Sequence, residues 1–95
     1  MTKKIAKYKI KSCAKQLGVN LKVISLNTLQ IGINIEMEHG LQTSKTNVTD
    51  DDILKTLKIA LAHLDEYPDY YERLIKMEKQ ADKYWKNKTK PSIWL

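Results

Sequence analysis

The chain has 95 residues, a net charge of +6, 42% hydrophobic residues and no Phe. That suffices for one domain with a small core and leaves little material for a deep catalytic cleft. No apolar run approaches the ~20 residues that span a bilayer, and the start "MTKKIAKYKIKSCAK" lacks the apolar stretch of a secretory signal. The single Cys13 excludes an intrachain disulfide and suits a reducing environment. The expected location is cytoplasmic, or within a virus particle if the source is viral.

Residues 1–11 alternate Lys with apolar residues and read as a basic arm or frayed helix start, residues 12–86 as a helical domain and 87–95 as a C-terminal tail. A first short helix is expected from about Ile10 to Leu17, stopped by Gly18 as its C′ residue. Ser25 is a good N-cap for a second helix over 26–39, with Leu26, Leu29, Ile33 and Met37 on one face and Gly40 as the stop. Leu29, Ile31, Ile33, Ile35 and Met37 also alternate as in a strand; the cap and stop favour helix. Thr49 before Asp50, Asp51 and Asp52 marks the start of a third helix, which buries Ile53, Leu57, Ala60, Leu61 and Leu64 and ends near Glu66. Pro68 suits the first turn of a fourth, carrying Tyr71, Leu74, Ile75, Glu78, Ala81 and Trp85 to about Lys86. The fold class is therefore all-α, three or four short helices around one small core.

Charge is unevenly spread. Residues 1–24 hold seven Lys and no acid, 25–72 three Lys against nine acids, and 73–95 seven Lys or Arg against two acids. Two basic ends thus flank an acidic middle. Lys3, Lys4, Lys7, Lys9 and Lys11 at one end, with Lys86, Lys88 and Lys90 at the other, suit nucleic-acid phosphates bound without sequence readout. They suit a plain solvated surface equally well. The stretch "CAKQLGVNLKVI" fits a helix-turn-helix, but the helix that would read bases, "VISLNTLQIGI", is poor in base-reading side chains.

The only two histidines each stand three residues from a carboxylate, as Glu36-x-x-His39 and His63-x-x-Glu66. Residues at this spacing share a helix face, and such pairs build di-metal sites in helical bundles. Glu36, Glu38, His39, His63 and Glu66 form the candidate ligand set, with Asp69, Tyr70 and Tyr71 placed to support it. A shell of carboxylate and imidazole with no thiolate suits divalent iron, manganese or zinc. The plainer alternative makes His39 a cap on the last turn of its helix and lets His63 bond Glu66 across one turn. In a simple antiparallel hairpin His39 would lie near residue 50, leaving His63 some ~20 Å away at 1.5 Å per residue. Convergence of the two pairs therefore calls for helices that cross.

The strings "LGVNL", "ISLNTLQIGINIEMEHG", "TNVTDDDILKTLKIALAHLDEYPDYYERLIKMEKQA" resemble a family of small domains of unknown function found in bacteria, archaea, phages and large DNA viruses. The resemblance covers roughly residues 17–78, through an E-x-E-H-G box, a T-N-V-T-x-D-D stretch and K-I-A-x-x-H-L-x-E-x-P-D-Y-Y-x-x-L. It implies that Glu36, Glu38, His39, His63, Glu66, Pro68, Asp69, Tyr70 and Tyr71 belong to the family signature. It brings no activity or ligand.

The expected function is a small non-enzymatic binding or interaction module. Its Glu/His cluster would hold a divalent metal or knit helices together. The alternative is a basic structural or virion-associated protein that contacts nucleic acid or other proteins through its lysine-rich ends. No membrane role is expected.

Overall fold

Four helices follow one another: α1 Lys7–Gln16, α2 Leu26–Gln42, α3 Ile53–Glu66 and α4 Tyr70–Trp85. The computed structural model describes residues 5–42, 45, 47 and 52–94, and the side chains of residues 39–42 fall outside that description. Among the described residues there is no strand, and no helix is long and apolar enough to cross a membrane. The all-α expectation is met. α2 touches each of the other three helices and forms the wall on which they assemble.

α1 begins at Lys7, earlier than the expected Ile10, because Ile10 and Ala14 anchor it with no side chain left exposed. Gly18 ends it with φ 76, the left-handed conformation that glycine adopts without a Cβ clash. The Val19 amide then donates to the Ala14 carbonyl at 2.9 Å. Just before α1, the Ile5 peptide is held at both ends by α2. Its amide donates to Asn34 Oδ1 at 3.2 Å, and its carbonyl accepts from Gln30 Nε2 at 2.8 Å. Gln30 and Asn34 are four apart, so one helical face supplies both partners.

Ser25 caps α2 as expected, its hydroxyl accepting the Thr28 amide at 3.1 Å. The strand-like alternation gives way to helical spacing: Leu29, Ile33 and Met37 are buried while Ile31 is 38% exposed. α2 does not stop at Gly40 but continues to Gln42. A glycine inside a helix costs only ~1 kcal/mol relative to alanine, less than the packed turns before it supply. The would-be recognition helix of the helix-turn-helix reading buries Leu29, Gln30 and Ile33 in the core and leaves Asn27 and Ile31 exposed.

α3 starts later than expected. Asp52, not Thr49, is the N-cap, its carboxylate accepting the Lys55 amide at 2.9 Å; Thr49 lies outside the described residues. Asp52 wins because it directly precedes Ile53, the first residue of the apolar stripe. Leu57, Ala60 and Leu64 are buried, and so is Thr56, whose hydroxyl donates to the Asp52 carbonyl at 2.7 Å. Pro68 lies in the turn before α4 rather than inside it; Asp69 is the N-cap, and the Tyr70 amide closes the turn on the Tyr67 carbonyl at 2.9 Å.

α3 runs antiparallel to α2. Its last turn meets α2 at Glu36, while Pro68, just beyond its end, shares a small cleft with Asn27 and Thr28 at the α2 start. The core joins Ile10, Ala14, Leu29, Ile33, Met37, Leu57, Ala60, Leu64 and Tyr71 from all four helices.

Candidate functional site

Tyr71 is the only side chain of α4 buried in that core, at 2% exposure. It enters by passing over α2 at Gly32, where an added Cβ would stand 2.6 Å from the ring Cε2. Gly32 precedes Glu36 by one helical turn, so a phenol crossing at the glycine carries its hydroxyl up to the carboxylate. Tyr71 Oη donates to Glu36 Oε2 at 2.7 Å, a charge-assisted bond of the stronger class.

The same Glu36 oxygen faces His63 Nε2 from α3 at 3.7 Å. That is too long for a hydrogen bond and is an ion pair when the imidazole is protonated. Glu36 is 12% exposed and His63 38%, so the carboxylate is largely enclosed while the imidazole stays partly open. Tyr70 fixes the ring plane: it stacks on His63 with centroids 4.2 Å apart and planes 4° from parallel. Tyr71 stands edge-on to both, 5.0 Å from Tyr70 and 6.3 Å from His63. Such stacked and T-shaped pairs add to plain burial.

Electrostatics follows the geometry. Burial pushes the Tyr71 hydroxyl far above the usual tyrosine value, and its hydrogen bond to Glu36 pushes it further. Tyr70 is also raised, first by burial, then by the negative charges of Glu36, Glu66 and Glu78. Both phenols are therefore neutral donors across the ordinary pH range.

Of the residues singled out by sequence, Glu36, His63, Tyr70 and Tyr71 come together. Glu38 and Glu66 are exposed, and Glu66 reaches the cluster only through its field at Tyr70. His63 pairs across the helices with Glu36; among the described residues no bond or ion pair joins it to Glu66. Asp69 turns outward to Arg73 at 2.7 Å. His39 lies on α2, three residues beyond Glu36, with its side chain outside the described residues. Among those residues no group of three His, Cys, Asp or Glu side chains is placed to hold a metal ion. The contact that sequence reasoning missed is Gly32, whose only signal was a glycine inside an apolar helix pattern. None of the cluster residues lines the open groove between the α1–α2 turn and α3, which is bordered by Leu17, Val23 and Leu61.

The fold and the cluster define a small all-α protein built round one carboxylate that a tyrosine grips and a histidine faces. The chain belongs to the family described as Protein of unknown function (DUF5661), whose model matches residues 10–80. No curated protein and no solved structure matches the chain. The matched span takes in Gly32, Glu36, His63, Tyr70 and Tyr71, and leaves Lys86, Lys88 and Lys90 beyond its end.

Proposed function

We propose that this chain is a small non-enzymatic binding module whose contact point is the partly open imidazole of His63, stacked on Tyr70 and backed by Glu36. One observation carries this reading: the imidazole is oriented by two neighbouring helices yet remains 38% exposed. A histidine serving only to knit the core would gain by being covered. The held ring offers one imidazole nitrogen and, behind it, one carboxylate, a donor pair suited to divalent iron, manganese or zinc. Glu36 and His63 are two ligands, so an ion there would draw its further donors from water.

Elemental analysis tests the metal form of the reading, on protein purified without a polyhistidine tag and reconstituted with iron, manganese or zinc. Stoichiometric metal is expected in the wild type, released by chelator and absent from His63→Ala. Metal-free wild type after all three reconstitutions would return the cluster to a purely structural tie.

A second reading assigns the basic ends to polyanion contact, in the cytosol or within a virus particle. It is favoured by exposure: Lys7, Lys9 and Lys11 of α1 all face solvent, as do Lys86, Lys88 and Lys90. Lys88 is partly spent, its ammonium lying 3.3 Å from the Tyr84 ring centre.

A further inference from the structure

α1 turns all of its apolar side inward. Ile10 and Ala14 are fully buried, and Cys13 and Leu17 pack on the same core. What remains outside is Lys7, Lys9, Lys11 and Lys15, with Tyr8 at 72% exposure and the polar Ser12 and Gln16 among them. The helix contains no acidic residue, and none of these lysines forms an ion pair among the described residues. Lys7, Lys11 and Lys15 follow at four-residue steps, a rise of ~6 Å each. They make one ridge with Tyr8 beside it, and the rise is comparable to the step between phosphates in an extended single strand.

We propose that this face binds single-stranded nucleic acid, with Lys7, Lys11 and Lys15 tracking phosphates and Tyr8 stacking on a base. It rests on the second reading above and narrows it to α1, adding Lys15 and Tyr8. A cationic ridge beside an exposed aromatic ring is the pairing that sequence-tolerant single-strand binders use, because every base has a face to stack on. A duplex keeps its bases stacked on one another and leaves Tyr8 nothing to cover. An anionic membrane fits worse, since a helix lying on a bilayer embeds its apolar face, and that face of α1 is already in the core. The clamp of Gln30 and Asn34 on Ile5 fixes where α1 begins, so the ridge is presented in one orientation. The three lysines of the ridge set the contact at roughly three phosphates.

The test is fluorescence anisotropy with a labelled oligothymidylate, its duplex with oligoadenylate, and phosphatidylserine vesicles as parallel probes. Binding to the single strand should weaken about 20-fold between ~50 and ~200 mM salt, the dependence expected of roughly three contacts. Lys7→Gln/Lys11→Gln/Lys15→Gln should abolish it, Tyr8→Ala should weaken it about tenfold, and Tyr8→Trp should preserve it. All four positions are exposed, so helical circular dichroism should be unchanged in every variant. No single-strand binding at low salt overturns the proposal, as does tighter binding to duplex or vesicles, or indifference to Tyr8→Ala. Loss only in Lys86→Gln/Lys88→Gln/Lys90→Gln would overturn it too, while leaving the wider polyanion reading intact.

Discussion

Tyr71 lies so close over Gly32 that a methyl group at position 32 would meet the ring at 2.6 Å from Cε2 and 3.1 Å from Cζ. The glycine is the gate through which α4 reaches the Glu36 carboxylate. In an ordinary helix interior, Gly→Ala stabilises by up to ~1 kcal/mol. Here the sign should reverse, because the ring is buried at 2% exposure and has little room to retreat. Gly32→Ala is expected to lower the melting temperature and weaken the Tyr71–Glu36 bond; a melt at or above wild type would show that the ring moves aside freely.

Removing the hydroxyl alone isolates that bond. Tyr71→Phe keeps the ring and the packing but leaves a largely enclosed carboxylate without its donor, at a cost of about 1.5–3 kcal/mol. For a domain of this size that is on the order of 10 °C in Tm. The pH dependence has a definite sign. The Tyr71 hydroxyl is held above its ordinary value in the fold, so above pH ~10 the unfolded chain gives up its proton first. The stability it lends is whole below pH ~10 and declines as pH rises, by up to ~1.4 kcal/mol per pH unit. Denaturant melts between neutral and strongly alkaline pH should show a shallower alkaline decline in Tyr71→Phe than in wild type. Equal slopes would mean that this hydroxyl is not the linked group.

The partner of His63 can be read from a double-mutant cycle. His63→Ala combined with Glu36→Gln should depart from additivity by about 0.5 kcal/mol or more, as contacting groups do. The cycle with Glu66→Gln should close to additivity. The reverse ranking in urea unfolding would mean that the pair formed within α3, not the pair between helices, holds the imidazole.

Much of the fold was legible because it rests on periodicity and punctuation. The Leu29, Ile33 and Met37 spacing, the Ser25 cap and the positive-φ Gly18 each act locally and were readable as such. Boundaries failed where neighbouring signals competed: three aspartates in a row offer three caps, and Gly40 is a stop only where the packed turns before it do not carry the helix past it. The site was half legible. Glu36 and His63 stood out and were grouped in one candidate set, but the spacing gave each a partner within its own helix and did not single out their direct pairing. The hairpin argument also misplaced the register. With α2 reaching Gln42 and α3 starting at Ile53, Glu36 and His63 meet in an antiparallel pair with no crossing. Tyr71 was placed in support of the site, but nothing local signals that its hydroxyl reaches Glu36 35 residues upstream.

The chain lengths between its members predict an order in time for the cluster. His63 and Tyr70 are separated by a single tight turn, so their stack closes a short loop at small entropic cost and can form as soon as α3 and α4 meet. Glu36 must wait for α2 to dock, since its bond to Tyr71 spans 35 residues of chain. Contacts made early govern how fast a chain folds, and contacts made late govern how slowly it comes apart. On that footing Tyr70→Ala is expected to slow folding, and Glu36→Gln to speed unfolding, in stopped-flow measurements.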